Sequence, residues 1–277
     1  YNKQLMKQAG VTSVPTSLED AWTWKQFDAV LASMRKALPS DKYPLVVNWQ
    51  GNGVTRWLSW LFEANGRFLS PDGTSSPIDS AAGRAAVDYT RAFFTEKYVP
   101  PNSSVKSTSL AQDIWFSQTA AMAFEGGFLL PDAKTTATFD WGATYPPRDH
   151  RAASDFGGNA VVVTSQTKKA EQAVAFLDYL TDAGVMKDFC ARASLLPTRR
   201  DLVSSGIRYD VRGDLTKVFI DQASTVRPQD AAQVASPSML KIITVLQDQL
   251  ENAFVGGQST QRTLSALAGG IESAVGK

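Results

Sequence analysis

Apolar residues first recur at helical spacing over 23–38, "TWKQFDAVLASMRKAL", where Phe27, Val30, Leu31, Met34 and Leu38 share one face. Thr23, followed three residues later by Gln26, predicts a capping box at the start, and Pro39 a stop. "YPLVVNW" reads as a short buried strand, rich in β-branched residues. "VTRWLSWLFEANG" predicts a helix with Trp57, Trp60 and Leu61 on one face and Asn65–Gly66 as its C-terminal stop. A turn-rich loop, "SPDGTSSPID", separates it from a helix that aligns Ala82, Ala86, Tyr89 and Phe93.

The pattern continues with a short helix, "SLAQDIWFSQ", for which Ser109 and Gln112 predict a second capping box. "AAMAF", "DWGATYPP" and above all "NAVVVTS" read as strands. Helices come next at "KKAEQAVAFLDYL" (Ala170, Val174, Leu177) and "VMKDFCARA". Two more carry Met239, Ile243, Leu246, Leu250 and Phe254, and then Leu264, Leu267, Ile271 and Val275, on single faces. Helices alternating with short apolar strands define an α/β class, without internal repeats or low-complexity tracts.

Length and charge narrow the function classes. At 277 residues the chain is long enough for one large domain or two small ones. A net charge of +1 and a single Arg199–Arg200 pair give no basic footprint for nucleic acid. No apolar stretch approaches the ~20 residues of a membrane span. The chain starts at Tyr1 without Met, as expected of a mature product or a fragment. One cysteine, Cys190, permits no internal disulfide and is read as a buried structural thiol on the face of Met186 and Phe189. The single histidine, His150, lies in the charged stretch "PPRDHRAASD". It argues against both a His/Cys metal site and a histidine-based nucleophilic triad, and no cofactor is implied.

Six stretches, in order, resemble one family: the extracytoplasmic solute-binding proteins of ABC importers, in their sugar-binding, maltose-binding-protein-like branch. They are "YNKQLMKQAGV", the start at "TWKQF", "FSQTAAMAFEGGF", "FGGNAVVVTSQTKKAEQAVAFLDYLTD", "ASLLPTRRDL" and "LENAFVGGQSTQRTLSALAGGIESAV". The resemblance implies a periplasmic-binding-protein-like (type II) two-lobed α/β fold. In the family the Tyr-Asn-Lys segment crosses from the first lobe to the second, so roughly a hundred residues would precede it. The expected division is therefore a complete C-terminal lobe, 1–155 with 228–277, and a partial N-terminal lobe, 156–227. That remnant includes "NAVVVTS" and the helix of Val174, and it should expose apolar surface.

The resemblance also implies a non-enzymatic receptor that carries a mono- or oligosaccharide to the permease subunits of an importer. Its place would be the periplasm, or the cell surface as a lipoprotein. A glycerophosphodiester, a peptide or a polyamine is the alternative solute. A glycosidase is a remoter reading, because Glu125 has no carboxylate partner at a telling spacing. With one lobe incomplete, the chain itself is expected to bind weakly or not at all.

Sugars join polar rims to apolar faces, so their sites pair aromatic rings with planar hydrogen-bonding groups. Four stretches fit. In "NWQGNGVTRW", Trp49 either stacks on a sugar or fills the core, Trp57 reads as core, and Gln50, Asn52 and Arg56 suit hydroxyl groups. In "FEGGF", Glu125 should emerge at the sheet edge, and Phe128 stands where the family often carries a stacking Trp. In "DFGGNA", Gly157 and Gly158 either present backbone N–H groups or serve as a hinge, with Asn159 beside them. In "LLPTRR", Arg199 resembles the family's cleft-facing arginine, or is a surface residue. Asp155 and Tyr145 are secondary candidates.

Overall fold

The structure, a computed structural model, describes residues 1–158 and 160–276. These separate into two compact units. The first comprises 1–125, 138–156 and 221–277, and the second 126–137 and 157–220. The chain passes between the units at 125/126, 137/138, 156/157 and 220/221.

The first unit opens with α1 (Lys3–Gln8), α2 (Trp24–Ala37) and β1 (Tyr43–Val47). A 3-10 turn (Gly51–Arg56) leads into α3 (Trp57–Glu63), followed by α4 (Ala81–Thr95), α5 (Ala111–Phe116) and β2 (Ala120–Phe124). β1 and β2 pair in parallel, with Tyr43 opposite Ala120 and Val47 opposite Phe124. A parallel pair needs a long crossover, which α3 to α5 supply, and it is stable only when covered. Accordingly, Leu45, Val46, Val47, Ala120 and Ala121 are all buried.

The predicted helix faces point inward. Phe27, Leu31, Met34 and Leu38 of the α2 region are buried, and the Thr23–Gln26 capping box is complete. α3 is buried on every side, including Trp57, whose indole N–H donates to Thr90 Oγ1 at 3.0 Å. It ends where expected: Asn65 adopts a positive φ, and Gly66 N donates to Leu61 O at 2.8 Å. A Cβ on Gly66 would lie 2.4 Å from Leu61 Cδ1, so only glycine fits.

The second unit contains a short 3-10 turn (Gly127–Leu129), α6 (Leu130–Thr136), α7 (Ala170–Thr181), α8 (Ala183–Ala193), α9 (Arg200–Ser205) and most of α10 (Gly213–Ala223). The chain then returns to the first unit for α11 (Pro228–Val234), α12 (Met239–Phe254) and α13 (Thr260–Val275). Ile242, Ile243, Leu246 and Leu250 of α12 meet Leu264, Leu267 and Ile271 of α13 in the core.

Three expectations are corrected. Residues 160–165 of "NAVVVTS" form no strand, and Val161 and Val162 are 63% and 73% exposed. A strand requires a neighbour for its backbone groups, and the described residues contain only the β1–β2 sheet. "DWGATYPP" reduces to an isolated bridge between Trp141 and Asn2, because its prolines cannot sustain a ladder. The second capping box is absent: the N-cap of α5 is Leu110, without a side-chain cap, and Ser109 Oγ accepts from Asn102 Nδ2 instead.

α7 contains no buried residue, and Val174, Phe176 and Tyr179 are exposed, which is the apolar surface expected of this segment. Cys190 is buried, and burial pushes its thiol pKa up, although its helix neighbour Phe189 is exposed.

Candidate functional site

Two parallel strands that stop in register bring the next residues of each side by side. Asn48 comes directly after β1 and Glu125 directly after β2, and Asn48 Nδ2 donates to Glu125 Oε2 at 2.6 Å. At 2.6 Å this bond is short, and it holds both side chains at the carboxyl ends of the strands.

The 3-10 turn closes over this pair. Gly53 fits tightly there: a Cβ would lie 2.9 Å from Asn48 Oδ1 and 3.0 Å from Arg56 Nη1. Asn48 and Arg56 therefore flank the same point. The Arg56 charge in turn acts on Asp155, whose carboxylate accepts from Thr55 Oγ1 at 3.4 Å and whose backbone N–H donates to Ser59 Oγ at 2.8 Å. Burial raises the Asp155 pKa, while Arg56 and the hydroxyls of Thr55 and Ser59 pull it back.

Gln50 Nε2 donates to the Ser103 and Ser104 carbonyls, and its Oε1 is buried with no partner among the described residues. Asn52 is exposed on the turn, and Gln247 Nε2 anchors that turn through Gly51 O at 2.8 Å. The first unit thus holds the candidates Gln50, Asn52, Arg56 and Glu125 together with the secondary candidate Asp155, and the structure adds Asn48. Asn48 is the residue that sequence reasoning passed over. Its signal was simple: it is the first polar side chain after a buried strand.

Trp49 is a correction. It has no exposed surface. Its ring lies within 5.0–5.9 Å of Phe254, Phe94 and Trp60, and its Nε1–H donates to Ser103 O at 2.7 Å. With its faces covered and its donor used, Trp49 belongs to the core. Tyr145 is likewise buried, donating to Asp221 Oδ2 at 2.6 Å.

The remaining candidates belong to the second unit. Phe128 is exposed, at the turn preceding α6. Gly157 and Gly158 are exposed, and a Cβ on either would meet nothing, so packing does not require glycine there. Arg199 Nε and Nη2 bind Asp201, and Nη1 donates to Thr181 O at 3.0 Å. This pairing raises the Arg199 pKa and lowers that of Asp201. Asn159 lies outside the described residues. His150 is an exposed side chain beside Asp149.

Planar amides, carboxylates and a guanidinium at strand ends suit a ligand rich in hydroxyl groups. The fold agrees: it is that of the two-lobed periplasmic binding proteins, present in part. Residues 1–187 match the family model for bacterial extracellular solute-binding proteins, and the chain belongs to that family.

Among solved structures it resembles an ABC transporter solute-binding protein from Thermotoga lettingae, bound with alpha-D-tagatose. The TM-score is 0.82 at 18% identity, covering 99% of this chain and 69% of that one. An ABC substrate-binding protein from Listeria monocytogenes in complex with cycloalternan gives 0.80 at 18%, covering 100% and 68%. UgpB from Mycobacterium tuberculosis, in complex with glycerophosphocholine, gives 0.78 at 18%, covering 100% and 68%. No curated protein matches the chain in sequence.

Proposed function

We propose that the chain is the solute-binding receptor of an ABC importer. It takes a mono- or oligosaccharide outside the cytoplasm and passes it to the permease, without chemistry of its own. The observation that carries this reading is the strand-end cluster of Asn48, Glu125, Arg56 and Asp155 in a member of the solute-binding family. These groups offer acceptors and forked donors for vicinal hydroxyls, with Gln50 and Asn52 alongside. Within the second unit, the exposed Phe128 ring, the backbone of Gly157 and Gly158, and Arg199 are proposed as solute-binding groups of that unit taken by itself. No helix of the described residues is long and apolar enough to cross a membrane.

The second reading keeps the receptor and changes the solute to a glycerophosphodiester. The glycerophosphocholine complex of the Mycobacterium tuberculosis neighbour favours it over a peptide or a polyamine.

The test is saturation-transfer NMR on the 277-residue chain with a panel of sugars and glycerophosphocholine at millimolar concentration, together with chromogenic glycosides. We expect weak sugar signals that fall in Asn48→Ala and Glu125→Ala, and no glycoside turnover. Sugar signals unchanged in both variants would remove the proposed site, and glycoside hydrolysis would remove the receptor reading.

A further inference from the structure

At the opposite end of α3 lies a second polar concavity that the solute-binding reading does not use. α3 begins beside Arg56 and ends before Asn65, and its seven residues place the two ends about 10 Å apart. The pocket at the far end has a volume of about 360 Å³ and is lined by Asn65, Arg67, Arg151, Arg227, Gln229 and Asp230. All of them belong to the first unit.

Three guanidinium groups face one carboxylate, a surplus of two positive charges. Asp230 is already engaged, since Arg151 Nη2 donates to its Oδ2 at 2.5 Å. The Arg151 side chain is only 10% exposed, yet its Nε–H is buried with no acceptor among the described residues. A buried, unsatisfied N–H on a cation is costly, and an acceptor drawn from solution would relieve it. Arg67 spends its Nε on Leu69 O at 3.2 Å, which holds the side chain against the pocket wall. No described residue forms a hydrogen bond or ion pair with the Arg227 side chain. The carbonyls at the end of α3 do not cancel this field, because Leu61 O and Phe62 O accept from Gly66 and Asn65.

We propose that this pocket binds a dianionic oxyanion, a phosphate or phosphate-ester group, between Arg67, Arg151 and Arg227. Guanidinium forks match the oxygen geometry of phosphate. Its charge of roughly −1.5 to −2 near neutral pH balances the surplus. The volume is about ten times a water molecule's share of the liquid, which leaves room for a small group esterified to the phosphate.

Isothermal calorimetry with inorganic phosphate and with glycerol 3-phosphate, at ionic strength held constant with sodium chloride, tests this. Saturable binding of one equivalent is expected. Arg227→Ala and Arg67→Ala should each weaken it about tenfold or more, the loss of one charge-assisted contact. Arg227 is exposed and neither residue pairs with Asp230, whereas removing Arg151 would leave Asp230 buried and unpaired. Asn52→Ala, in the strand-end cluster, should leave phosphate binding unchanged. Equal affinity for the two ligands marks the free ion as the occupant, and tighter ester binding marks a phosphorylated small molecule. Absence of saturable heat from either ligand up to tens of millimolar, or unchanged binding in both arginine variants, would overturn the proposal.

Discussion

Replacing Glu63 with Gln removes one titratable proton from the core of the first unit. Glu63 is the last residue of α3 and has no exposed surface. Trp24 Nε1 donates to its Oε2 at 2.6 Å, while Oε1 is buried with no partner among the described residues. Loss of hydration raises the carboxyl pKa well above its ordinary 4.5; Asp149 pushes it further up, and the Trp24 bond and Arg151 pull it down less than burial raises it. The folded chain therefore keeps a proton that the unfolded chain releases. The corresponding stability is fully present below pH 4.5 and is lost as pH rises through the folded value. Between those limits the unfolding constant of the parent should climb about tenfold per pH unit from this group alone. A glutamine at this position can still accept from Trp24 and does not titrate. Urea unfolding of parent and Glu63→Gln at pH 5, 6 and 7, followed by tryptophan fluorescence, separates this group from every other carboxylate, because the others cancel in the difference. The variant should gain on the parent at each step upward in pH. A difference that stays constant with pH, or one that grows in favour of the parent, would refute the assignment of a buried neutral carboxyl.

Trp49→Ala should destabilise the chain by about 3–5 kcal/mol in denaturant, as expected for a fully buried aromatic residue; a loss below about 1 kcal/mol with sugar signals abolished would return Trp49 to the ligand site. Thr23→Ala should cost about 1 kcal/mol by removing a real capping box, whereas Ser109→Ala should stay within about 0.5 kcal/mol, since Ser109 caps nothing. Gly53→Ala should displace Asn48 and Arg56 and weaken the sugar signals, at about 1–3 kcal/mol of stability. Unchanged sugar signals in a folded Gly53→Ala chain would separate the turn from solute binding.

The helices were legible because their signals are local. Thr23 and Gln26 can bond each other whatever the rest of the chain does, and the apolar faces of α12 and α13 each need only one partner. Residues 160–165 show the opposite case. Their composition is that of a strand, but strand formation is decided by a neighbouring backbone, which no local pattern encodes. The same distinction divides the candidate site. Glu125, just past the end of β2, stands out because a buried apolar run stops at it, whereas Asn48 gains its role only through the register that sets it beside Glu125. Trp49 could not be placed that way. It is the next residue along from Asn48, and whether its ring turns toward solute or core depends on Phe94, Phe254 and the Ser103 carbonyl, 45 to 205 positions away in the chain. Arg151 poses the same problem on a larger scale: within "RDHRAAS" it reads as one more surface charge, and only the return of α11 with Asp230, 79 positions later, buries it and turns it into a wall of a cationic pocket. Polar residues that acquire their chemistry through distant burial are therefore the ones a sequence hides, and both the strand-end cluster and the arginine pocket depend on such residues.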